Sequence, residues 1–555
     1  MSAFASTTLR RAAGSRWLVP VLAAILLGQL AVAMLTAARE QSPTVDEPVY
    51  IGTAAVYLTR HSIQLNPEHP PLAKLLVAAA LAPADVRLDP DYDEGQWRIG
   101  NRVLYGETND ADRILFLARL PTILLTLLFG LVVYAFGRDL GTRWGGLLAL
   151  TLYAFSPDVI AHGSLATNDV PLAGFLLTTL WLLWRARARW WPWLPLAGLA
   201  FGCAMATKMT ALPVLPVVLL LAGWSGWQAR RSGSGGSSSP GPTGRRSRFL
   251  AGLAAAGLVG LLGTIVVWIT YLIVDPRLRF THPAEIPHPD GLTGLLVRLL
   301  PLPEAYRSGL AVQLSFEQQD FPTYLFGELH PGTPWYYLPA AVLVKTPLGM
   351  LALWLAGASC LLAVRRFRSA AAYLLLPAVV LLGVAMAGSR SFGVRYVIWL
   401  PLLLGVAAAG LLAYRRRWVP VLVWAVAAFV AVSSVRAFPY YLPYSNEAFG
   451  GPAETHRYLN DSNVDWGQDL RRLGEYLARH PTDEQVWLLY KGRGSPAYYG
   501  IDAADPTKVP PEQVRGLLAV SEMRISLSPD GHAALVAGRE PITVIGHTIR
   551  IYRIP

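Results

Sequence analysis

Residues 17–37 read WLVPVLAAILLGQLAVAMLTA, an apolar run that contains no charged side chain. A helix needs about 20 such residues to cross the hydrocarbon core of a bilayer. Arg16 stands directly before the run, and two adjacent carboxylates, Asp46 and Glu47, follow it. The run is too long for the apolar core of a typical signal peptide, so we interpret it as a membrane helix that is retained in the protein.

The composition of the whole chain extends this interpretation. The 555 residues are 53% hydrophobic and only 15% charged, and the mean hydropathy is +0.37. Such a chain is too apolar for an ordinary soluble protein, and it predicts an all-α polytopic membrane protein. Eleven apolar runs of spanning length lie near residues 17–37, 114–137, 144–161, 169–184, 191–207, 210–226, 249–274, 336–364, 370–388, 396–413 and 418–436.

Arginine clusters in the short loops predict the orientation, because cationic residues in short loops stay on the cytoplasmic side of a membrane. These loops contain almost no acid, with Asp139 as the exception. The clusters are Arg10, Arg11 and Arg16; Arg138 and Arg143; Arg185, Arg187 and Arg189; Arg230, Arg231, Arg245, Arg246 and Arg248; Arg365, Arg366 and Arg368; and Arg415, Arg416 and Arg417. Their alternation predicts a protein of the plasma (inner) membrane with a cytoplasmic N-terminus and an extracytoplasmic C-terminus.

The acid-rich segments then share the extracytoplasmic face, where we expect the functional residues. These segments are 38–113, 156–168, 275–335, 388–395 and 437–555.

Two domains are predicted. Residues 1–436 form a transmembrane domain with extracytoplasmic loops 38–113 and 275–335, and with a Gly/Ser/Pro-rich cytoplasmic linker at 228–248. Residues 437–555 combine an amphipathic helix near 469–477 with short β-like runs at 486–490, 542–545 and 549–552, which indicates a small α+β extracytoplasmic domain.

Several functional classes are disfavoured. The net charge of +12 is scattered beside apolar runs rather than gathered into one stripe, so we expect no nucleic-acid partner. Cys203 and Cys360, the only cysteines, both fall in apolar runs and indicate packing rather than a disulfide or a thiolate metal site. The GxG of 491–494 is too weak to predict a nucleotide-binding loop.

Asp46 and Glu47 lie between Pro43 and Pro48, close after the first span. Arg119 lies inside the second apolar run near its outer end, where an arginine is costly unless it is paired. We expect one of the two carboxylates to pair with Arg119 and its neighbour to remain free to accept a proton. The alternatives are solvated or capping acids and an arginine that extends to the lipid headgroups.

The stretch from Asn66 to Lys74, NPEHPPLAK, predicts a turn followed by an apolar helix. It presents Glu68, His69 and Lys74 at headgroup depth, where His69 and Lys74 are candidates for contact with a phosphate. Glu68 beside His69 is a minority candidate for a divalent-cation site, because two ligands are fewer than a structural metal site requires.

Further candidates lie at the outer ends of other spans. Arg390 and Arg395 face outward against the charge trend, and guanidinium groups match phosphate geometry. Lys345, about ten residues into an apolar run, joins them as a candidate for the phosphate site. Asp169 either caps a helix or faces a cavity. Asp465 and Trp466 in the tail either form a capped turn or bind sugar hydroxyls.

These motifs resemble a known family. The stretch 44–47 (TVDE), the stretch 68–74 (EHPPLAK) and Arg119-Leu120-Pro121 resemble the protein O-mannosyltransferases and the bacterial aminoarabinose transferases. The tail stretch 461–470 (DSNVDWGQDL) together with 392–396 (FGVRY) looks like the bacterial branch of glycosyltransferase family 39. The resemblance implies a GT-C fold and a polyprenyl-phosphate-linked sugar as donor.

The resemblance also implies roles for residues. Asp46 would be the catalytic carboxylate with Glu47 as its neighbour and Arg119 as their partner, while His69 and Lys74 would lie near the donor phosphate. We expect inverting hexosyl or pentosyl transfer in which Asp46 takes the proton of an acceptor hydroxyl and cations stabilise the departing phosphate. No cofactor is required. The acceptor is left open among a glycan, a lipid and a protein, because the loop 275–335 is too short for the β-trefoil insert of the eukaryotic enzymes.

The alternative function is a secondary transporter of a polar or anionic solute, in which Arg119 and Lys345 belong to an ion path. That function predicts repeated halves with broken spans, and the sequence shows no such repeat.

Overall fold

A computed structural model describes residues 16–88, 95–233, 242–286, 288–414, 416–527 and 531–555. The predicted cytoplasmic arginines Arg10, Arg11 and Arg415 lie outside the described residues, as does the centre of the predicted linker at 234–241.

Each of the eleven apolar runs contains a helix. The helices in and around them are α1 (Leu18–Glu40), α2 (Glu47–Arg60), α3 (Leu72–Leu81), α4 (Gly95–Tyr105), α5 (Ala111–Leu140), α6 (Arg143–Ala154), α7 (Pro157–Gly163), α8 (Asp169–Ala186), α9 (Trp193–Thr207), α10 (Leu215–Gly233), α11 (Pro242–Val274), α12 (Gly291–Leu299), α13 (Glu304–Phe316), α14 (Tyr337–Lys345), α15 (Leu348–Ala363), α16 (Arg368–Ala387), α17 (Trp399–Ala408) and α18 (Trp418–Arg436).

The fold is therefore a mostly helical, polytopic membrane fold, but the count of eleven spans is not confirmed. Within the described ranges, six helices are long and apolar enough to cross a membrane, or up to eight if each of two bent pairs is one span. The helices Trp193–Thr207 and Trp399–Ala413 are apolar but shorter. Hydropathy along the sequence counts apolar residues and does not register where a helix is broken.

Prolines break the two bent pairs. The chain turns by 63° between α6 and α7, where Pro157 begins the second helix, and by 118° between α14 and α15, where Pro347 follows Thr346. Proline cannot continue a helix from the preceding turn, so both breaks follow from the sequence. Lys345 is consequently the last residue of a short helix and not, as predicted, a residue in the middle of a continuous span.

Contacts of arginine side chains join some of the predicted cytoplasmic loops in pairs. Arg185 donates from Nε to Oδ2 of Asp139 at 2.6 Å, and Arg138 lies 3.4 Å from the same carboxylate. Arg366 donates from Nη2 to the carbonyl oxygen of Ala413 at 2.9 Å. The first contact joins the loops at 138–143 and 185–189, and the second joins the loop at 365–368 to the end of the apolar run 396–413.

The tail contains α19 (Leu470–Arg479), α20 (Glu522–Leu527) and a four-stranded sheet. Its strands β3 (Val486–Leu489), β4 (Gly516–Ser521), β5 (Thr543–Ile545) and β6 (Ile549–Ile554) lie in the order β3-β4-β6-β5, with β3 and β4 parallel and the other pairs antiparallel. A separate hairpin, β1 (Thr323–Leu325) with β2 (Glu328–His330), lies in the loop 275–335. The helix and three of the four tail strands lie where the sequence predicts them; β4 was not predicted.

Candidate functional site

A cavity of about 900 Å³ opens where the predicted extracytoplasmic segments meet. Its walls come from the first loop, from the start of α8, from the loop 275–335, from the turn 388–395 and from the tail. Four of the five segments that the sequence places on one face therefore line this cavity; the fifth, 156–168, lies next to it, where the backbone N–H of Ala166 donates to Glu47. The ionisable residues of the cavity wall include Asp46, His69, Asp169, Arg390, Arg395 and Asp461.

Asp46 forms an ion pair with Arg395 in this cavity. Arg395 Nη1 donates to Asp46 Oδ2 at 2.5 Å. The Asp46 side chain is 23% exposed, so its carboxylate is accessible from the cavity, whereas Arg395 is nearly buried. Arg395 comes from a segment almost 350 residues away in the chain, so local sequence did not indicate this pair; the expectation that Asp46 accepts a proton stays a prediction.

Glu47, not Asp46, is the partner of Arg119. The guanidinium grips both carboxylate oxygens, with Nε and Nη2 each at 2.7 Å, and both side chains are fully buried. Thr44 and the backbone N–H of Ala166 donate further hydrogen bonds to Glu47. Burial raises the pKa of Glu47, but the attraction of Arg119 and these hydrogen bonds outweigh it and hold the pKa below its ordinary value.

This buried pair lies behind the cavity wall and fixes the backbone that carries Asp46. Arg119 also donates to the carbonyl oxygens of Ala38 and Gln41, at 2.8 and 2.9 Å, and of Ser42 at 3.1 Å. It thereby ties the end of α1 and the start of α2 to α5. From this geometry, Glu47 and Arg119 position the backbone that carries Asp46 and do not contact a ligand.

The first loop and the tail motif are joined by backbone hydrogen bonds. Ser42 N–H donates to the carbonyl oxygen of Gln468 and Val45 N–H to that of Trp466, each at 3.0 Å. Ser42 Oγ donates to Gly467 O at 3.0 Å and accepts from Leu470 N–H at 3.1 Å. The two stretches that carried the family resemblance thus form one structural unit around Asp46.

His69 and Lys74 of the stretch 66–74 were predicted to contact phosphate. Of these two residues, His69 lines the cavity. Its Nδ1 is buried without a hydrogen-bond partner. Burial, together with the charges of Lys208 and Lys74, lowers the pKa of His69 well below its ordinary value, so the imidazole is neutral and offers a hydrogen bond rather than a charge.

Lys74 does not line the cavity. Its Nζ donates to the backbone and side-chain oxygens of Asn66, at 2.9 and 3.1 Å, and to His69 O at 2.6 Å. These bonds close the turn that precedes α3. We therefore revise the predicted phosphate contact of Lys74 to a part in holding His69 in place.

Arg390 lies on the cavity wall in an aromatic surrounding. Its guanidinium carbon is 4.5 Å from the ring centre of Phe316, and Nη2 donates to Gln313 Oε1 at 3.0 Å. The Nε atoms of both Arg390 and Arg395 are buried and have no hydrogen-bond partner. Two arginines, each with a buried Nε that has no partner, therefore line one cavity.

The predicted sugar-binding residues are divided by the structure. Asp169 lines the cavity but pairs with Lys208, whose Nζ lies 2.6 Å from Oδ1. Trp466 also lines the cavity, where Arg395 lies 4.4 Å from its ring centre.

Asp465 does not line the cavity. Its two oxygens accept from the backbone N–H groups of Gly467 and Met523, at 3.1 and 3.0 Å, and its side chain is buried. Burial raises the pKa of Asp465 to about 7. The predicted contact of Asp465 with sugar is revised, because both oxygens are already used within the tail.

Lys345 is also outside the cavity. Its Nζ donates to Leu442 O at 2.5 Å and to Asn463 O at 2.8 Å, and it lies 3.8 Å from Asp158. The ammonium group holds the tail segment against the helix bundle, so the predicted phosphate contact of Lys345 is revised in the same way as that of Lys74.

Sequence reasoning missed Asp461, Lys491 and Arg493, all of which line the cavity. Asp461 lies in the quoted tail motif, and its position beside Asp465 and Trp466 was a usable signal. Lys491 and Arg493 follow strand β3, and no local pattern connects them with a cavity formed by distant segments.

The predicted metal site is not supported in the described part of the chain. No group of three or more His, Cys, Asp or Glu side chains there has the arrangement to hold a metal ion. Glu68 Oε1 accepts from Gln96 Nε2 at 3.2 Å, and His69 packs edge-on against Tyr50.

Apolar residues of two membrane helices also line the cavity. They are Leu172 and Leu176 of α8 and Leu381 and Val384 of α16, and Val384 is 46% exposed. A cavity wall that combines cationic side chains with apolar side chains of membrane helices fits a ligand with a charged head and a hydrocarbon chain.

Fold and site together define a polytopic membrane protein with a polar cavity closed over by its C-terminal tail. Residues 23–271 match the sequence model of the dolichyl-phosphate-mannose-protein mannosyltransferase family. The resemblance predicted from the motifs is thereby confirmed over these residues, a little under half of the chain, which are similar to the protein O-mannosyltransferases.

Several solved structures are similar to this chain. The S. cerevisiae protein O-mannosyltransferase Pmt1-Pmt2 complex bound to the sugar donor shares 22% identity with a TM-score of 0.36, over 46% of this chain and 34% of the yeast chain. ArnT from Cupriavidus metallidurans bound to undecaprenyl phosphate shares 12% identity with a TM-score of 0.47, over 97% of this chain and 98% of ArnT. The oligosaccharyltransferase AglB from Archaeoglobus fulgidus, in complex with an inhibitory peptide and a dolichol-phosphate, shares 12% identity with a TM-score of 0.42, over 91% of this chain and 71% of AglB.

No curated protein matches the chain. The chain spans about a third of the length of the yeast mannosyltransferase chain that it resembles.

Proposed function

We propose that this protein is an integral-membrane glycosyltransferase that moves a sugar from a polyprenyl-phosphate donor to an acceptor hydroxyl on the extracytoplasmic face, with Asp46 as the base. One observation carries the proposal: the accessible carboxylate of Asp46 shares a cavity with Arg390 and Arg395, whose buried Nε atoms have no partner. Buried donors without a partner are costly, and a phosphate group supplies the acceptors that they lack.

The donor phosphate binds at Arg390 and Arg395, with His69 adding a neutral hydrogen bond. Its isoprenoid chain lies against the apolar residues of α8 and α16 that line the cavity. The family match over residues 23–271 supports a lipid-phosphate donor, because the family is described by its use of dolichyl-phosphate-mannose. The charged and apolar parts of such a donor correspond to the two parts of the cavity.

The reaction inverts the configuration at the anomeric carbon. The acceptor oxygen forms a bond to that carbon while Asp46 accepts its proton, and the bond from the carbon to the phosphate oxygen breaks with both electrons passing to the phosphate. Arg395 engages Oδ2 of Asp46, so Oδ1 is the oxygen that we assign to proton transfer. The guanidinium groups stabilise the charge that develops on the phosphate.

No metal has a part in this scheme, and no acid is needed for the leaving group, because a phosphate departs as a stable anion. Glu47 and Arg119 position Asp46 through the backbone of residues 38–47. Asp169 and Trp466 lie on the wall where a sugar or acceptor would rest. The extracytoplasmic location of this chamber follows from the arginine distribution of the loops.

The test is sugar transfer by the purified full-length protein in nanodiscs that contain lipid-linked sugars from the native membrane. We expect Asp46→Asn to lower the rate by at least about a hundredfold, the effect expected for loss of a general base, without loss of folded protein. Asp85→Asn, an exposed acid of the same loop, is the matched control. Turnover of Asp46→Asn within about threefold of wild type would remove Asp46 as the base, since such a change is far below the general-base effect.

A second arm tests the donor. Mass spectrometry of lipid that co-purifies with the wild-type protein should find a polyprenyl phosphate or its glycosylated form, and Arg390→Ala with Arg395→Ala should deplete it. Coupled flux of a polar solute across proteoliposomes, with no transfer, would instead support the transporter.

A further inference from the structure

The tail motif at 461–470 contains three acids, and their oxygens have different surroundings. Asp465 uses both oxygens on backbone N–H groups of the tail. Asp469 pairs with Arg472 and accepts from Thr548 Oγ1 at 2.7 Å. Both side chains are about 1% exposed, so neither reaches a ligand.

Asp461 is the remaining acid, and it lines the cavity. Its Oδ1 accepts from the backbone N–H of Ser462 at 2.7 Å. Among the residues that the structure describes, it forms no ion pair, although Arg395 and Lys491 are close enough for their charges to lower its pKa. Burial nevertheless raises that pKa to about 6. A carboxylate with spare acceptor capacity therefore faces the chamber that holds Asp46.

The residues next to Asp461 are fixed by hydrogen bonds to three other parts of the chain. Asn463 donates to Tyr337 Oη at 2.9 Å and accepts from the backbone N–H of Val394 at 3.0 Å. Lys345 Nζ donates to Asn463 O, and Ser462 Oγ donates to Phe392 O. The loop is rigid at its core, while its single free carboxylate points into the cavity.

The backbone at Asp461 is itself unusual. Its φ of +56° lies in the left-handed region that a residue with a Cβ rarely adopts. Strained conformations of this kind persist where the surrounding structure enforces them, and they concentrate at ligand sites. Asparagine tolerates the same conformation, so Asp461→Asn preserves the fold while it removes the charge.

We propose that Asp461 binds neighbouring hydroxyl groups of the sugar carried by the donor and so holds that sugar beside Asp46. This inference rests on the proposed function. The Asp461 side chain is a carboxylate, and a carboxylate accepts hydrogen bonds from neighbouring hydroxyl groups. Trp466, on the same loop, also lines the cavity, with Arg395 4.4 Å from its ring centre.

The experiment compares lipids that differ only in the sugar. Affinities of the full-length protein in nanodiscs are measured for undecaprenyl phosphate and for undecaprenyl phosphate that carries mannose, glucose or arabinose. In the wild type, at least one glycosylated lipid should bind about tenfold tighter than undecaprenyl phosphate, the gain expected for a charge-assisted hydrogen-bonded contact. Asp461→Asn should reduce that ratio to about twofold and leave the affinity for undecaprenyl phosphate unchanged.

Asp502→Asn is the matched control, because it makes the same change at an exposed acid of the tail. A wild-type ratio in Asp461→Asn, or a wild-type protein that prefers none of the three sugars, would overturn the contact. If Asp461→Asn keeps the wild-type ratio of affinities but loses sugar transfer, Asp461 contacts the acceptor and not the donor sugar. Equal loss of affinity for all four lipids would mean that Asp461 acts through Arg395. Failure of the wild type to bind undecaprenyl phosphate would contradict the proposed function itself.

Discussion

Arg395 Nη1 lies 2.5 Å from Asp46 Oδ2, and this ion pair joins the first loop to a turn that follows α16. The guanidinium keeps further donors unused, including a buried Nε. One arginine can therefore hold the proposed base and bind a phosphate at the same time. Arg395 is the residue through which donor binding and the position of Asp46 are coupled.

Arg395→Lys tests this double contact. Lysine keeps the charge but has a single ammonium group, so it cannot reproduce the planar set of donors. We expect transfer to fall by about ten- to a hundredfold and affinity for undecaprenyl phosphate to fall by about tenfold, the cost of one charge-assisted hydrogen bond. The measurements are transfer rates and lipid binding in nanodiscs. Arg457→Lys, an exposed arginine paired with Glu454, is the control; equal activity of the two variants would contradict the coupling.

Glu47→Gln tests the buried pair behind the cavity. Removing one charge leaves Arg119 buried without its counter-ion, which costs about 3–5 kcal/mol. We expect a clear drop in the melting temperature and in the yield of folded protein, seen by intrinsic fluorescence in detergent. Glu454→Gln, whose pair with Arg457 is exposed, should be close to neutral. A stable Glu47→Gln protein that has lost only activity would assign Glu47 to the chemistry instead.

Lys345→Met tests the clamp between the helix bundle and the tail. The substitution removes the hydrogen bonds to Leu442 O and Asn463 O but keeps the length of the side chain. We expect faster proteolytic cleavage near residues 440–470, because two buried carbonyl oxygens lose their donor. Affinity for undecaprenyl phosphate should change little. A loss of that affinity with unchanged proteolysis would restore Lys345 to the phosphate site.

Asp461 gives a pH-dependent contribution to stability. Its pKa is about 6 in the folded protein, against an ordinary value of 3.8. The folded protein therefore holds this proton more tightly than the unfolded chain does, and the stabilisation present below about pH 4 is lost as the pH rises through about 6.

Asp461→Asn removes this titration. We expect its melting temperature relative to wild type to increase between pH 4.5 and pH 7.5, as measured by thermal shift in detergent. Asp502→Asn, the same change at an exposed tail acid, should show a constant difference. A constant difference for Asp461→Asn as well would mean that burial does not perturb this carboxylate.

Properties of the protein that depend on local composition could be predicted from the sequence. Apolar runs located the helices, and the distribution of acids and arginines grouped four segments that line the cavity. Asp46, His69, Arg390 and Arg395, which line the cavity, were predicted from local patterns: adjacent acids after the first span, the turn at 66–74, and outward arginines that oppose the charge trend. The pairing of Arg119 with one of two adjacent acids was also predicted, since the alternatives close to it in the chain were few.

The partners of the charged groups were beyond a sequence-based prediction. Lys74 and Lys345 have the residue type and position expected of phosphate ligands, yet backbone carbonyl oxygens engage their ammonium groups. Asp465 and Asp461 are four residues apart, and only the path of the loop turns one inward to the tail and the other to the cavity.

By itself, the sequence determined that the chain is a helical membrane protein and which short motifs resemble those of lipid-dependent glycosyltransferases. These properties follow from hydropathy and local residue order. The tertiary structure alone decided that Arg395 pairs with Asp46, that Glu47 and Arg119 are sealed behind the cavity, and that Asp461 completes its wall. Each of these contacts joins residues far apart in the chain, and the energy of an ion pair or hydrogen bond depends on distance and burial, which residue order does not encode.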